Sequence, residues 1–354
     1  MTIQRLARAD LWDRKGYQSL GVARDPKLRL NCNENPWPPV KSNEPLLNRY
    51  PEKQPAGLIA RMAELYNIAP SNMLVTRGAD DGIDALIRAF CNPGVDSIVQ
   101  CPPAFVMYEF FARLQAVTVN EVPLLAGQGF AVDFETLAEH VDSKIYFLCN
   151  PNNPTGSLID SQKILQFADA VSNRALVVVD EAYIEFASIE SLARSATDRA
   201  NLVVLRTLSK AWSLAGARLG AVIANADVIQ YLRATTSPYP LSRSAVADSV
   251  AALDSASLPV ARQRIEEIKS ERNKLAAALP QFEFVRKVYP GEGNFVLIEV
   301  DDVTQLLGFM LQRGVLLRDQ SSQFGLSDCV RISVGRPDEM TELLRLMNEY
   351  QEAR

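Results

Sequence analysis

The strongest constraint in this sequence is a series of short apolar runs that alternate with amphipathic stretches. Several runs are apolar throughout, as is typical of strands that are covered on both faces. Stretches with helical periodicity, such as 56–68 and 79–90, separate many of the runs. The alternation predicts an α/β domain with a mostly parallel sheet flanked by helices. The predicted strands span 73–78, 97–103, 117–124, 144–151, 175–183, 202–210 and 219–225.

The pattern changes after about residue 243. A long helical region follows, and we expect it to be interrupted or kinked at Pro259. Shorter strand-like and helix-like segments then alternate up to a final helix, which predicts a smaller α+β domain. We therefore expect an N-terminal arm that belongs partly to the small domain (1–40), a large domain (41–250) and a small C-terminal domain (251–354).

Composition argues against several classes of function. The 354 residues carry a net charge of -5 without a dense basic run, which argues against binding to nucleic acid or an anionic membrane. No run of about 18 apolar residues predicts a membrane span. The five cysteines are far apart without a CxxC pair, which favours a reducing cytoplasm. The single histidine, His140, at a predicted helix end, argues against a zinc site or a Ser-His-Asp triad.

Polar residues follow four of the predicted strands. Taken singly, each group is explained as a helix cap or a turn. Ligands in open α/β sheets bind beyond the carboxyl ends of the strands, so together the groups predict one site. Lys210 stands out because it precedes small and apolar residues, and desolvation lowers the pKa of an amine that acts in covalent chemistry. The groups are Gly78-Ala79-Asp80, 150–156, Asp180 with Tyr183, and Ser209 with Lys210.

These motifs resemble the fold-type-I pyridoxal phosphate-dependent aminotransferases, and within them the histidinol-phosphate aminotransferase family, along nearly the whole chain. Asp180-x-x-Tyr183 combined with Ser209-Lys210 and Arg218 is highly specific. The matching segments include "LNCNENPWPP" (30–39), "NRYP" (48–51), "VTRGADDGIDALIRAF" (75–90), "NPNNPTG" (150–156), "VVDEAYIEF" (178–186), "LRTLSKAWSLAGARLG" (205–220) and "SPYPLS" (237–242).

The resemblance implies a pyridoxal 5′-phosphate site. Lys210 would hold the cofactor covalently and move a proton, while Asp180 would keep the ring nitrogen protonated. Asn153 and Tyr183 would contact the phenolic oxygen of the ring. Phe105 would cover the ring face, at a position where relatives often carry tyrosine. The cofactor phosphate would be bound by Arg218, Ser209 and the helix N-terminus at Ala79 and Asp80.

The resemblance also implies how substrates bind. Arg318 and Arg331 match arginines that bind substrate anions, and Tyr17 in "YQS" would add a hydroxyl group to the substrate phosphate. Asn153 would also contact the substrate. Tyr50 matches a residue that reaches the partner subunit's cofactor, which implies a homodimer with shared sites. No metal is implied.

The implied reaction moves an amino group between L-glutamate and imidazole-acetol phosphate, giving 2-oxoglutarate and L-histidinol phosphate, in cytoplasmic histidine biosynthesis. Two alternatives share the fold: an aromatic amino-acid aminotransferase and a pyridoxal phosphate-dependent decarboxylase of a phosphorylated amino acid. A third is a regulator or binding module that has lost catalysis. The presence of Lys210, Asp180 and Tyr183 argues against that third alternative.

Overall fold

The computed structural model describes residues 3–12, 29–42 and 46–354. The larger of its two sheets has seven strands. The strand order is β1-β7-β6-β5-β4-β2-β3, and only β7 runs antiparallel to its neighbours. Each predicted strand overlaps an observed one, so the mostly parallel sheet is confirmed. The strands are β1 (Met73–Thr76), β2 (Ser97–Gln100), β3 (Thr118–Glu121), β4 (Ser143–Cys149), β5 (Leu176–Asp180), β6 (Leu202–Thr207) and β7 (Gly220–Ile223).

A smaller antiparallel sheet lies in the C-terminal part of the chain, in the order β10-β11-β9-β8. It confirms the predicted α+β region, whereas the domain limits at residues 40 and 250 stay predictions. Its strands are β8 (Val285–Tyr289), β9 (Phe295–Val300), β10 (Arg318–Asp319) and β11 (Cys329–Ser333). The helices are α1 (Ala56–Tyr66), α2 (Gly78–Phe90), α3 (Met107–Leu114), α4 (Phe134–Glu139), α5 (Ser161–Ala170), α6 (Ala193–Asp198), α7 (Ala226–Thr235), α8 (Arg243–Ala252), α9 (Ser257–Ala278), α10 (Val303–Gln312) and α11 (Pro337–Glu352).

The apolar runs are explained by burial on both faces of the large sheet. Side chains of β5 alternate between two cores: Val177 and Val179 pack into one, and Leu176 and Val178 into the other. All four are fully buried. A strand that is covered by helices on both faces needs an apolar side chain at every position, so β5 lacks the polar alternation of a half-exposed strand.

The helical region after residue 243 breaks before Pro259 rather than at it. Helix α8 ends at Ala252 and α9 begins at Ser257, so Pro259 lies in the first turn of α9. A proline is tolerated there because the first backbone N–H groups of a helix have no partner within the helix. Asp254 forms the break instead, since its side chain accepts hydrogen bonds from the backbone N–H groups of Ala256 and Ser257.

Two backbone loops meet where the small sheet approaches the large one. A Cβ atom on Gly156 would lie 2.7 Å from the Cα atom of Gly291, a distance that no side chain allows. The backbone N–H of Glu292 donates to the carbonyl of Gly156 over 2.8 Å. The Glu292 carboxylate accepts hydrogen bonds from the backbone and the hydroxyl of Ser188. These contacts join the loop after β8 to two loops that follow strands of the large sheet.

A buried ion cluster joins the ends of β5 and β6. The guanidinium of Arg206 lies 2.6 Å from a carboxylate oxygen of Glu185 and 3.5 Å from one of Glu181. It also lies over the ring of Tyr66, 4.3 Å from the centroid. Burial raises the pKa of Glu181 to about 6, and Arg206 opposes that shift. The indole N–H of Trp212 donates to Glu185 over 2.9 Å, so the cluster extends to the residues after β6.

We predict that Arg206→Ala lowers the free energy of unfolding by about 3–5 kcal/mol, because it leaves buried carboxylates without a counter-charge. Urea unfolding of the cofactor-free protein measures the loss. Arg199→Ala is the matched control, since Arg199 pairs with Asp169 at the surface and should cost less than about 1 kcal/mol. Equal losses in the two variants would contradict the stabilising role of the cluster.

Candidate active site

A cavity of about 110 Å³ lies at the carboxyl ends of the parallel strands. Strand β5 ends at Asp180, and β6 ends at Thr207, just before Ser209 and Lys210. Because these strands are parallel neighbours, their ends deliver side chains to the same edge of the sheet. The cavity is lined by Ala79, Asp80, Phe105, Cys149, Asn153, Asp180, Ala182, Tyr183, Thr207, Ser209, Lys210 and Arg218. The structure thus brings together the nine single-chain residues predicted around the cofactor.

Asp180 is a buried carboxylate on the cavity wall, only 3% exposed. One oxygen accepts a hydrogen bond from the Tyr108 hydroxyl over 2.7 Å, and the other accepts from the backbone N–H of Ala182 over 3.1 Å. Burial raises the pKa of Asp180, while these two donors and Lys210 oppose the shift. The remaining lone pairs can serve a cationic group in the cavity.

Lys210 lines the cavity, and its pKa is lowered. Desolvation, followed by the positive charges of Arg331 and Arg218, lowers its pKa, and Asp80 and Asp180 act against the shift. Its Nζ atom lies 5.7 Å from the ring centre of Tyr183. The side chain stays accessible from solvent. An amine in this setting loses its proton more readily than a surface lysine and can act as a nucleophile or a base.

One end of the cavity is suited to bind a phosphate group. Helix α2 begins at Gly78, whose φ is +79°, and its first backbone N–H groups lack partners within the helix. The Arg218 guanidinium lies 3.3 Å from the Asp80 carboxylate beside this helix start. The Thr207 hydroxyl donates to Ser209 over 3.0 Å. The Arg218 cation, the hydroxyl groups of Thr207 and Ser209, and the positive end of the α2 dipole therefore lie together at this end of the cavity.

Close packing between β7 and α2 fixes the position at which α2 begins. A Cβ atom on Gly220, the first residue of β7, would lie 2.6 Å from the carbonyl oxygen of Arg206. It would also lie 2.8 Å from the carbonyl carbon of Gly78 and 2.9 Å from the Ala79 nitrogen. Only glycine lets β7 approach α2 this closely, so Gly220 positions the phosphate-binding end.

The small sheet contributes arginines next to the cavity. The Arg331 guanidinium donates a short hydrogen bond to the Asn153 side chain on the cavity wall. Its Nε atom is buried and has no hydrogen-bond partner among the described residues. Arg318 stands directly opposite Arg331 on the neighbouring strand. Within residues 3–12, 29–42 and 46–354, neither arginine forms an ion pair.

Tyr50, predicted to act at the partner subunit's cofactor, lies away from this cavity. Tyr50 is 49% exposed, stacks on Tyr239 with ring centres 4.7 Å apart, and lines a separate cavity of about 410 Å³. The backbone N–H of Tyr50 donates to Glu34 over 2.7 Å, and Glu34 also pairs with Arg49. Tyr17 lies outside the described residues, so its predicted contact stays a prediction.

Four residues at the site were not predicted from the sequence: Tyr108, Cys149, Ala182 and Thr207. Thr207 lies two positions before Ser209 at the end of a predicted strand, so the strand-end argument could have included it. Tyr108 and Cys149 are apolar-looking positions in a helix and a strand. Sequence gives no signal that the Tyr108 hydroxyl reaches Asp180, 72 residues further along the chain.

Other features of the described chain bear on the sequence predictions. All five cysteines are free. Among the described residues, no group of His, Cys, Asp and Glu side chains is arranged to hold a metal ion. The same part of the chain has no helix that is both long and apolar enough to cross a membrane.

The fold and the lysine–aspartate cavity define an enzyme of the pyridoxal phosphate-dependent transferase type. The family model for aminotransferase class I and II matches residues 26–346, and the chain belongs to this family. It is therefore a pyridoxal phosphate-dependent aminotransferase.

Two similar proteins and one similar solved structure bear the same name. Histidinol-phosphate aminotransferase from Xylella fastidiosa is 41% identical over 99% of this chain and 97% of its own length. The enzyme of the same name from Xanthomonas euvesicatoria is also 41% identical, over 99% of this chain and 98% of its own. The crystal structure of the Sinorhizobium meliloti histidinol-phosphate aminotransferase with pyridoxal-5′-phosphate has a TM-score of 0.78 at 23% identity, over 87% of this chain and 84% of that one. That structure supports the fold.

We predict that Gly220→Ala lowers the free energy of unfolding by about 1–3 kcal/mol and weakens pyridoxal phosphate binding, because the added methyl group displaces the start of α2. Urea unfolding and a fluorescence titration with the cofactor measure the two effects. Gly216→Ala is the control, since a Cβ atom there meets open space, and it should change stability by less than about 0.5 kcal/mol. Identical behaviour of the two variants would contradict the packing argument.

Proposed function

We propose that this aminotransferase transfers an amino group between L-glutamate and imidazole-acetol phosphate, giving 2-oxoglutarate and L-histidinol phosphate. The observation that carries the proposal is the pairing of Arg318 with Arg331 across two strands. Like charges directly opposite each other destabilise a sheet. No carboxylate among the described residues neutralises them, so the pair is suited to bind substrate anions, namely the phosphate of histidinol phosphate and the two carboxylates of L-glutamate or 2-oxoglutarate. The two 41% identical relatives bear the name of this activity.

The cavity residues fit pyridoxal phosphate. Helix α2, Arg218, Ser209 and Thr207 would hold the phosphate, and Asp180 would accept a hydrogen bond from the ring nitrogen. The phenolic oxygen would lie near Asn153 and Tyr183, and Phe105 would cover one ring face. When bound, the cofactor supplies an aldehyde for amino groups and a ring that withdraws electrons from the substrate α-carbon.

Lys210 would act as the proton carrier through its Nζ atom. A base must be unprotonated when it accepts a proton, and the lowered pKa of Lys210 increases that fraction near neutral pH. Tyr183 lies beside it, and burial raises the pKa of its phenol, so the hydroxyl stays a donor. Asp180 would balance the positive charge on the ring nitrogen. The roles of these residues are part of the proposal.

The two arginines would divide the substrate anions between them. Arg331 lies next to Asn153 and acts on the charge of Lys210, so we assign it the carboxylate that L-glutamate and 2-oxoglutarate carry next to the reacting carbon. Arg318 is exposed on β10 and would bind the distal anion, which is the phosphate of histidinol phosphate or the side-chain carboxylate of glutamate. Tyr17 would assist at the phosphate.

A homodimer with shared sites is part of the proposal. Tyr50 is exposed, its backbone N–H donates to Glu34, and both residues line the 410 Å³ cavity. An exposed tyrosine that stacks on a half-buried one, as Tyr50 does on Tyr239, is suited to contact another subunit. Tyr50 would reach the cofactor phosphate of the partner subunit. The free cysteines support a location in the reducing cytoplasm.

We predict that Arg318→Gln raises the KM for histidinol phosphate about tenfold to a hundredfold, because one charged hydrogen bond contributes roughly 1.5–3 kcal/mol. Bleaching of the cofactor absorbance in half-reactions with histidinol phosphate and phenylalanine measures the effect. Phenylalanine lacks a distal anion and should be affected much less.

The control for this substitution is Arg313→Gln. Arg313 is in the same part of the chain but pairs with Glu349 at the surface, and both half-reactions should stay unchanged. Equal losses toward histidinol phosphate and phenylalanine in Arg318→Gln would refute the phosphate role. The substrate would then be an aromatic amino acid, and the aminotransferase activity would stand.

We predict that Lys210→Ala and Tyr50→Ala complement each other when inactive or weakly active subunits are mixed and exchanged. Each hybrid dimer would contain one site with both native residues. Random pairing should restore activity to about one quarter of the wild-type level in an assay of subunit exchange. Lys210→Ala mixed with Asp180→Ala is the control, because both residues serve the same subunit's cavity and no native site can form. Failure of the first mixture to regain activity would contradict the shared site.

A further inference from the structure

The hydrogen bond between Tyr108 and Asp180 is not explained by the roles assigned above. Tyr108 lies on α3, and its hydroxyl donates to a carboxylate oxygen of Asp180 over 2.7 Å. Both side chains are buried, with Tyr108 fully inaccessible. Tyr108 does not line the cavity, so it cannot serve the cofactor directly. Tyr108 therefore acts through Asp180, the cavity residue that it contacts.

The tyrosine ring is held so that the hydroxyl keeps this position. It stacks on Phe147, with centroids 4.8 Å apart and planes 9° apart. It also meets the edge of Phe105 at 5.8 Å and 83°, and Phe105 belongs to the cavity wall. Aromatic pairs of these geometries are attractive and restrict ring rotation. Loss of the hydroxyl alone would therefore leave the packing intact.

A donor on a buried carboxylate changes how tightly the carboxylate holds a proton. Burial raises the pKa of Asp180, and the Tyr108 hydroxyl is the strongest of the groups that lower it. Burial also raises the pKa of Tyr108 itself, so it remains a donor at any working pH. The other groups that face Asp180 are the Ala182 N–H, Asp80, Lys210, Cys149 and Tyr183.

We propose that Tyr108 is a positioning residue that keeps the proton shared by Asp180 and the bound cofactor on the ring nitrogen. The inference rests on the proposed placement of Asp180 against that nitrogen. A carboxylate that accepts a hydrogen bond from Tyr108 is the weaker competitor for the proton. Without the hydroxyl, Asp180 competes better, and the ring nitrogen is protonated less.

The test is Tyr108→Phe, reconstituted with pyridoxal phosphate that carries ¹⁵N in the ring. The ¹⁵N chemical shift of the bound cofactor distinguishes a protonated from a neutral ring nitrogen without any turnover. In the wild type the signal should leave the protonated position only at high pH. In Tyr108→Phe it should move toward the neutral position at lower pH. The half-reaction kcat should fall about tenfold, with less effect on KM.

Tyr146→Phe is the matched control. Tyr146 is equally buried on β4, where it stands opposite Val177 rather than Asp180. Its hydroxyl donates to the His140 carbonyl over 2.6 Å and accepts from Arg174 over 2.8 Å, so it does not contact Asp180. Its removal tests whether loss of any buried phenol moves the signal. Equal shifts in the two variants, or a Tyr108→Phe signal that matches the wild type at every pH, would overturn the proposal.

Failure of the underlying assignment gives a different result. A neutral ring nitrogen in the wild type would show that Asp180 does not serve it, whatever Tyr108 does. If Tyr108→Phe fails to fold, 3-fluorotyrosine placed at position 108 supplies a stronger donor of nearly the same shape. The ring nitrogen should then keep its proton to higher pH than in the wild type, and an unchanged or opposite shift would overturn the proposal.

Discussion

The positions of Lys210 and Asp180, the residues proposed to be catalytic, depend on the Arg206 guanidinium, which lies between the buried carboxylate of Glu181 and the half-buried one of Glu185. Arg206 lies on β6 four residues before Lys210, and Glu181 directly follows Asp180 at the end of β5. Glu185 receives hydrogen bonds from both Arg206 and Trp212. One ion cluster therefore holds together the ends of β5 and β6, which carry Asp180 and precede Lys210. Burying these charges requires that all of them stay paired.

Much of the fold could be predicted because β4, β5 and β6 need apolar residues on both faces. Their uninterrupted Val, Ile and Leu runs differ clearly from the amphipathic helices between them. The cavity followed from the same logic, since parallel strands end at one edge and polar residues such as Asp180 and Lys210 follow those ends. The family resemblance then assigned the roles. The direction of each strand was not predictable in detail, because β7 is as apolar as β1 and β6 on either side of it but runs antiparallel to both.

The remainder could not be predicted because it depends on contacts between distant segments. Strand β10 has only two residues, too few for a periodic pattern, yet it pairs Arg318 with Arg331. The Asn153–Arg331 hydrogen bond spans 178 residues. The helix break after residue 252 was assigned to Pro259, the residue with the strongest intrinsic effect. Asp254 produced it through local side-chain bonds, which a rule about proline does not consider.

The contact between Gly156 and Gly291 couples the cofactor loop to the small sheet in a way that no side chain could. Two bare backbones touch there, and the same loops carry Asn153 on one side and lead into β9, which pairs with the strand of Arg331, on the other. The small sheet can therefore lie this close to the cavity only while both residues are glycine. A methyl group at either glycine would push the small sheet away and increase the distance from Arg331 to the cavity. If Arg331 binds substrate as proposed, substrate affinity depends partly on the absence of side chains at Gly156 and Gly291.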